Sequence, residues 1–233
     1  IGTLCHEFSH CLGYPDLYDT GNGGNFGMGE FDLMDAGSYN GESFCPPNYS
    51  AYEKWFAGWI TPTVLDKPAS VKGMQAQDVK YGQAFVVYND NNKNEYYLIE
   101  NRQQNVGIWD KQLPASGMMI THVDFDKTRF SLSTFSGNSV NSTKGHPRMT
   151  ILPADGRLLS SYSDKNNYAN NMECHLYPGK CNVDYFDYKL PARTLTTTEG
   201  HDTIVAAYPN PIVYIGSADI MASTKPIKNN KEK

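Results

Sequence analysis

The sequence predicts an α+β fold in which a short helical region is followed by a β-rich module. Helical patterns with capping signals occur in the first 62 residues, whereas runs of β-branched and aromatic residues dominate from residue 63 onward. The predicted regions are therefore residues 1–62, residues 63–216 and a flexible polar tail at 217–233. A chain of 233 residues can bury a sizeable core, as one large domain or as two small ones.

The first predicted element is a helix from about Thr3 to Leu12, and it carries the segment HEFSH. His6 and His10 are four residues apart and so lie on one face of the helix, where both imidazoles can reach one metal ion. Glu7 lies about 100° further round, close enough to act as a general base on a bound water. Two imidazoles and one carboxylate leave a fourth tetrahedral position open, which favours Zn²⁺.

The third ligand is predicted in the turn after this helix. Gly13 readily adopts the left-handed conformation that ends a helix, and Pro15 makes continuation unfavourable. The chain must therefore turn, which places Asp16 beneath the metal. Glu30 is the alternative third ligand, and Asp16 is preferred over it.

A loop rich in Gly, Asn and Asp is predicted from Tyr14 to Asn25. Hard oxygen ligands cluster in such loops, so Ca²⁺ is a second candidate ion there. Asp19 is its main candidate ligand, and Asp16 could share it.

A second helix is predicted from Ser50 to Gly58. Ser50 and Glu53 have the spacing of a capping box, and Gly58 can end the helix. An apolar stripe on this helix is expected to lie in the core. The stripe consists of Tyr52, Trp55, Phe56 and Trp59.

The β-rich module is predicted from short strand-like runs. Three strong runs are Ala84 to Asn89, Glu95 to Glu100 and Gly117 to Val123, with a hairpin turn at 90–94 between the first two. Weaker strands are expected at 148–153, 203–208 and 212–216. A stretch at 131–145, rich in Ser, Thr, Asn and Gly, predicts a long surface loop.

Polar residues within this module leave two questions open. His122 and Asp124 alternate onto one face of a strand and, with His146, could bind a second metal. Hydrogen-bonded core histidines are the preferred interpretation. Glu100 and Arg102 are either a buried structural pair or part of a cleft wall.

Five cysteines permit at most two disulfides. Cys174 and Cys181 bracket a short loop containing Pro and Gly and form the most plausible pair. Cys5 and Cys11 lie about 9 Å apart along one helix, too far to bridge each other. Either could pair with Cys45, and a fully reduced protein is equally compatible with the sequence.

Several motifs resemble those of one peptidase family. HEFSHCLGYPD resembles the zinc signature HExxHxxGxxH/D of the metzincin metallopeptidases, with Asp16 in the third-ligand position. FDLMDAGSYNG, at 31–41, resembles the methionine turn that follows it. Together with PDLYD, WFAGWITP, ENRQ and GMMITHVD, these segments resemble the secreted bacterial metallopeptidases related to immune inhibitor A.

The resemblance implies the C-terminal part of a metzincin-like catalytic domain, with zinc helix, methionine turn and short helix, followed by the β-rich module. In such domains a methionine, here Met34, forms a hydrophobic floor under the metal. Tyr39 could stabilise an oxyanion, although it follows Met34 at five residues where several metzincins have two. A sheet and a backing helix precede the zinc helix in that family. Because the chain opens with Ile1 and has no leader, a fragment or processed product is expected.

The expected function is zinc-dependent hydrolysis of protein or peptide substrates outside the cell or in its envelope. A net charge of −5 argues against nucleic acid as a partner, and no stretch of 18 apolar residues predicts a membrane span. The alternatives are a catalytically incomplete fragment and a non-catalytic metal-binding or adhesive module.

Overall fold

A computed structural model of the chain describes residues 1–22, 24–67, 69–79, 82–158 and 172–186, and the strand segments 194–196, 202–204, 212–215 and 219–223. Two α-helices are described, α1 (Gly2–Cys11) and α2 (Ala51–Phe56). Short 3-10 turns lie at Gly29–Phe31, Ala36–Tyr39, Asp110–Gln112 and Met172–Cys174. None of the described helices has the length and apolar character needed to cross a membrane.

The described strands are β1 (Thr63–Val64), β2 (Ala69–Lys72), β3 (Ala84–Asn89), β4 (Asn92–Arg102), β5 (Gly117–Asp124), β6 (Met149–Ile151), β7 (Tyr185–Phe186), β8 (Thr194–Thr196), β9 (Asp202–Ile204), β10 (Ile212–Ile215) and β11 (Asp219–Ser223). A five-stranded sheet has the order β1-β3-β4-β5-β6, and it is antiparallel except for the β1–β3 pair. The three strong strand predictions are confirmed. The hairpin turn is shorter than predicted, because β4 already begins at Asn92.

A four-stranded sheet, in the order β2-β11-β10-β7, and the β8–β9 hairpin complete the β-rich part. The weaker predictions at 148–153, 203–208 and 212–216 correspond to β6, β9 and β10. Strand β11 lies inside the range predicted as a polar tail, where the run Ile-Met-Ala suits a strand. Residues 205–208 and 216 of the strand predictions, and residues 217–218 and 224–233 of the tail prediction, lie outside the described residues.

Both faces of the five-stranded sheet are buried, and each face contributes to its own hydrophobic cluster. Successive side chains of a strand point to opposite faces, so Val86 and Leu98 lie in one cluster while Phe85 and Ile99 lie in the other. The first cluster also contains Tyr14, Met28, Phe31, Met34 and Tyr52 from the first 62 residues. Packing is therefore continuous across the predicted boundary at residue 62.

Helix α2 begins with the predicted capping box. The amide and hydroxyl of Ser50 donate to Glu53 Oε2 at 2.7 and 2.9 Å. Tyr52 is buried and Trp55 half-buried, but Phe56 and Trp59 are 51% and 53% exposed. The prediction that all four aromatic residues lie in the core is therefore wrong, because α2 ends at Phe56 and Trp59 lies beyond the helix.

Arg102 lies at the centre of a buried ionic cluster. It donates from Nε and Nη2 to both carboxylate oxygens of Asp110, at 2.8 and 2.7 Å, and from Nη1 to Glu100 at 3.2 Å. Nη1 also donates to the carbonyl of Phe31, and Glu100 accepts the amide of Ala51 at the start of α2. Glu100 and Arg102 are thus a buried structural pair, which joins the sheet to α2 and to the segment around Phe31.

The predicted disulfide between Cys174 and Cys181 is confirmed. The other three cysteines are free, so neither Cys5 nor Cys11 pairs with Cys45. The short loop brings the first pair together locally, whereas Cys45 lies in a separate segment where its Sγ contacts the carbonyls of Ile108 and Trp109.

Acidification should destabilise the fold through His175. Its ring is fully buried edge-on to Phe26, and burial lowers its pKa to about 4, with the backbone of Arg157 acting in the opposite direction. The unfolded chain protonates this histidine near its ordinary pKa of about 6.5, so between these values the unfolded state binds more protons. Lowering the pH through this window should remove about 3 kcal/mol of unfolding free energy.

Urea unfolding at pH 7.5 and pH 4.5 measures this effect. His175→Phe removes the titrating group, so its unfolding free energy should fall less over the same interval than that of the wild type. Equal losses in the two proteins would exclude His175 as the source.

Candidate metal centre

The structure brings the predicted ligands His6, His10 and Asp16 together. Each offers one ligand atom, and the three atoms lie within 4.8 Å of one another. Helix α1 stacks the two histidines one turn apart, and Gly13, with φ +96°, lets the chain turn back so that Asp16 faces them. His6 Nε2 and His10 Nε2 lie 3.0 and 3.5 Å from the same atom, Asp16 Oδ1.

The second nitrogen of each imidazole fixes its tautomer. His6 Nδ1 donates to the carbonyl of Leu33, and His10 Nδ1 donates to the carbonyl of Tyr14, both at 2.8 Å. A carbonyl can only accept, so both Nδ1 atoms carry hydrogen, and the Nε2 atom of each ring is the one that faces Asp16 and can bind a metal when unprotonated. Three possible ligand atoms therefore lie close together, in an arrangement that could hold a metal ion.

The spacing of these donors fits a small tetrahedral ion. Bonds of about 2.0–2.2 Å to Zn²⁺ place tetrahedral ligand atoms roughly 3.3 Å apart. The observed separations of 3.0 and 3.5 Å lie on either side of that value. The donor set of two imidazoles and one carboxylate also suits zinc better than calcium, which takes 6–8 oxygen ligands.

The charges of the group favour ionised forms. Burial alone would lower the pKa of His6, but its hydrogen bonds to Asp16 and Leu33 and the charges of Asp16 and Glu7 raise it overall. Burial would raise the pKa of Asp16, but hydrogen bonds from His6 and Asn138 lower it. Because a histidine must be unprotonated at the nitrogen that binds a metal, metal binding at this group would compete with protonation of His6.

Asn138 is a component of the centre that sequence reasoning missed. It lies 122 residues beyond Asp16, in the segment 125–148 between β5 and β6, which we call the β5–β6 loop. Its Nδ2 donates to Asp16 Oδ2 at 2.7 Å, and its Oδ1 accepts the amide of Asp16 at 2.6 Å. No spacing rule links residues so far apart, and the sequence indicated only a surface loop.

Tyr18 is the second component that was missed. Burial raises its pKa to about 12, together with the charge of Asp16 and a hydrogen bond to it. The negative charges of Asp35 and Glu7 add to this shift. Tyr18 is 42% exposed and therefore combines contact with a ligand residue and access to solvent.

The predicted general base Glu7 lies exposed on α1, one residue after His6. Its charge contributes to the raised pKa of both His6 and Tyr18. Tyr39 ends the 3-10 turn that packs against Gly2 of α1, and it is 68% exposed. Its role at an oxyanion stays a prediction.

Glu30, the alternative third ligand, is not part of the group of His6, His10 and Asp16. It is half-buried, and burial raises its pKa. Among the described residues, the geometry therefore agrees with the preference for Asp16.

The methionine-turn segment, at 31–41, contacts α1. Asp32 and Asp35 fold it by accepting backbone amides, including those of Met34 at 2.8 Å and Met28 at 2.8 Å. Met34 is fully buried in the first hydrophobic cluster, and the preceding residue, Leu33, supplies the carbonyl that holds His6. The role of Met34 as a hydrophobic floor under the metal stays a prediction.

The calcium prediction finds no support in the loop at 14–25. Asp19 Oδ1 accepts a hydrogen bond from the amide of Gly21, and Oδ2 accepts one from the amide of Asn25. Both oxygens therefore stabilise the loop in which Asp19 lies. Asp19 does not belong to the group of close ligand atoms found among the described residues.

The second metal hypothesis is also unsupported among the described residues, since His122 and His146 each pair with a carboxylate. His122 Nε2 lies 3.0 Å from Glu95 Oε1, and His146 Nε2 lies 2.7 Å from Asp124 Oδ2. Asp124 also accepts from Arg148 at 2.8 Å. The preferred interpretation of a hydrogen-bonded core histidine is confirmed for His122, which is buried, whereas the side chain of His146 is 43% exposed.

Comparison with known proteins bears on the first quarter of the chain. Residues 1–60 match the family model described as Immune inhibitor A peptidase M6, catalytic domain. No curated protein and no solved structure gives a significant match. The matched residues contain α1, the three clustered ligands and the methionine-turn segment. They are therefore similar to a peptidase catalytic domain, and the match supports a hydrolase that acts on peptide bonds in protein substrates.

Proposed function

We propose that the chain carries the zinc site of a metalloendopeptidase. The observation that carries this proposal is the convergence of His6 Nε2, His10 Nε2 and Asp16 Oδ1, with both Nδ1 atoms tied to carbonyls. The similarity of residues 1–60 to a peptidase catalytic domain supplies the reaction class. Hydrogen bonds from the two Nδ1 atoms to backbone carbonyls set the tautomers and orient the rings. Such bonds are expected around the histidine ligands of a metal site.

Zinc held by these residues would polarise the scissile carbonyl and lower the pKa of a water to about 7. Glu7, which is exposed on α1 directly after His6, would accept the proton of that water and pass it to the leaving amine. Asp16 and Leu33 hold His6, and Tyr14 holds His10, so neither imidazole has to reorient during the reaction.

Two tyrosines are candidates for stabilising the oxyanion. Tyr39 is the candidate from the family pattern, and Tyr18 is the one whose hydroxyl contacts Asp16. A phenol with its pKa raised to about 12 stays protonated at neutral pH and so can donate a hydrogen bond to a negatively charged oxygen.

We place this activity outside the cell or in its envelope. The family resemblance favours such a location, and the disulfide between Cys174 and Cys181 suits an oxidising compartment. Protein or peptide chains are the substrates, and the loops around the site decide which sequences are cleaved.

Elemental analysis of the purified 233-residue chain after dialysis tests the proposal. We expect about one zinc per wild-type chain and none in His10→Ala, because two remaining ligands cannot hold the ion against dialysis. His146→Ala is the matched control, since it removes a histidine outside the group and should keep the zinc. Casein hydrolysis should follow zinc content and should be lost on chelation.

Two other outcomes of the zinc analysis would contradict the proposal in whole or in part. No zinc in the wild type would overturn the proposal. Stoichiometric zinc without casein hydrolysis would replace the endopeptidase by a catalytically incomplete fragment that binds metal.

A further inference from the structure

Beyond the ligands themselves, we propose that Asn138 is a positioning residue that holds Asp16 as a one-oxygen metal ligand, which makes the β5–β6 loop part of the metal centre. This inference rests on the proposed zinc site.

Asp16 lacks the support that the two histidines receive from α1. It follows the turn at Gly13 and Pro15, outside any helix or strand, so its side chain has no regular element to orient it. A ligand in such a position loses conformational freedom when the metal binds, unless other groups already fix it.

The Asn138 amide fixes Asp16 at two points. It accepts the backbone amide of Asp16 at 2.6 Å and donates to Oδ2 at 2.7 Å. One side chain thus spans the main chain and the carboxylate of the same residue, which restricts rotation of the carboxylate about both side-chain torsions. Oδ2 is occupied, and Oδ1 is left facing the two histidines.

The backbone of Asn138 is itself held in place. Its amide donates to the carbonyl of Ser131 at 2.8 Å, and its carbonyl accepts the hydroxyl of Thr20 at 3.0 Å. Its φ of +51° lies in the left-handed region, which Asn tolerates better than most residues. A Cβ at the neighbouring Gly137 would lie 1.9 Å from the carbonyl oxygen of Ser131, so the tight turn also requires glycine.

A second asparagine anchors the same loop. Asn141 is fully buried and donates to the carbonyls of Leu17 and Met149 at 2.6 and 2.8 Å. The β5–β6 loop therefore forms hydrogen bonds with Asp16, Leu17 and Thr20, in the segment that supplies the third ligand.

Occupation of Oδ2 has a consequence for the kind of metal bound. A carboxylate that offers both oxygens raises the coordination number and suits calcium, whereas one oxygen suits a four-coordinate site. Asn138 thus favours tetrahedral geometry at this centre.

Asn138→Gly tests the inference, because glycine keeps the left-handed backbone and removes only the amide. Zinc affinity, measured by competition with a chromophoric chelator, should fall about 10- to 100-fold. The Tm of the metal-free protein should change little, and bound Co²⁺ should lose the intense visible absorption typical of four-coordinate sites as Oδ2 becomes free to bind.

Thr20→Val is the matched control. It removes a hydrogen bond between the same loop and the same segment but leaves the contacts of Asn138 with Asp16 intact. Its zinc affinity should stay within a few-fold of the wild type. Equal zinc affinity in Asn138→Gly and wild type, or equal losses in both variants, would overturn the positioning role alone. Absence of zinc binding in the wild type would overturn the proposed metalloendopeptidase as well.

Discussion

Glu7→Gln should lower peptide hydrolysis by about 10²- to 10⁴-fold and leave zinc affinity unchanged. The amide keeps the size of the carboxylate but cannot accept a proton from water. Glu7 is not among the three residues whose ligand atoms converge, so removing its charge does not remove a ligand. Turnover and metal binding should therefore separate in this variant.

The measurement pairs the initial rate of casein hydrolysis with zinc per chain. Glu30→Gln is the control, because it makes the same chemical change at a half-buried carboxylate outside the group. It should retain both zinc and activity. Wild-type activity in Glu7→Gln would remove Glu7 as the general base, and loss of zinc in Glu30→Gln would make Glu30 the third ligand.

The sequence allowed prediction of the ligands because their geometry is local. His6, His10, Gly13 and Asp16 occupy eleven consecutive residues, and helix periodicity together with one glycine turn fixes their relative positions. Asn138 could not be predicted in the same way, since its contact with Asp16 spans 122 residues and depends on how the β5–β6 loop packs. Tyr18 is close in sequence, but no periodic pattern distinguishes its hydroxyl from those of the other tyrosines.

The fold follows the same division between local and non-local information. The alternation of strands β3, β4 and β5 and the capping box of α2 were readable from the sequence. The exposure of Phe56 and Trp59 was not, because it depends on which face of α2 meets the sheet. The burial of Arg102 and Glu100 could not be predicted either. The sequence of a charged pair in a strand is the same whether the pair is buried beside a partner such as Asp110 or exposed to water.

The buried cluster around Arg102 gives the second large effect. Arg102→Met should lower the free energy of unfolding by about 3–5 kcal/mol, because it keeps an apolar stem and leaves the buried carboxylates of Glu100 and Asp110 without their cation. Burial already raises the pKa of Glu100, and the charge of Arg102 counteracts that shift. Urea unfolding at neutral pH measures the loss, and Arg157→Met on the surface should change stability by less than about 0.5 kcal/mol.

A triple variant separates the two sources of that cost. If uncompensated buried charge causes the loss, adding Glu100→Gln and Asp110→Asn to Arg102→Met should restore much of the stability, since neutral amides cost less to bury than carboxylates. If the bonds from Arg102 to the carbonyls of Phe31 and Asn48 dominate, the triple variant should be no more stable than the single one. Recovery would also show that the sheet stays attached to α2 and to the segment around Phe31 when Arg102, Glu100 and Asp110 all lose their charges together.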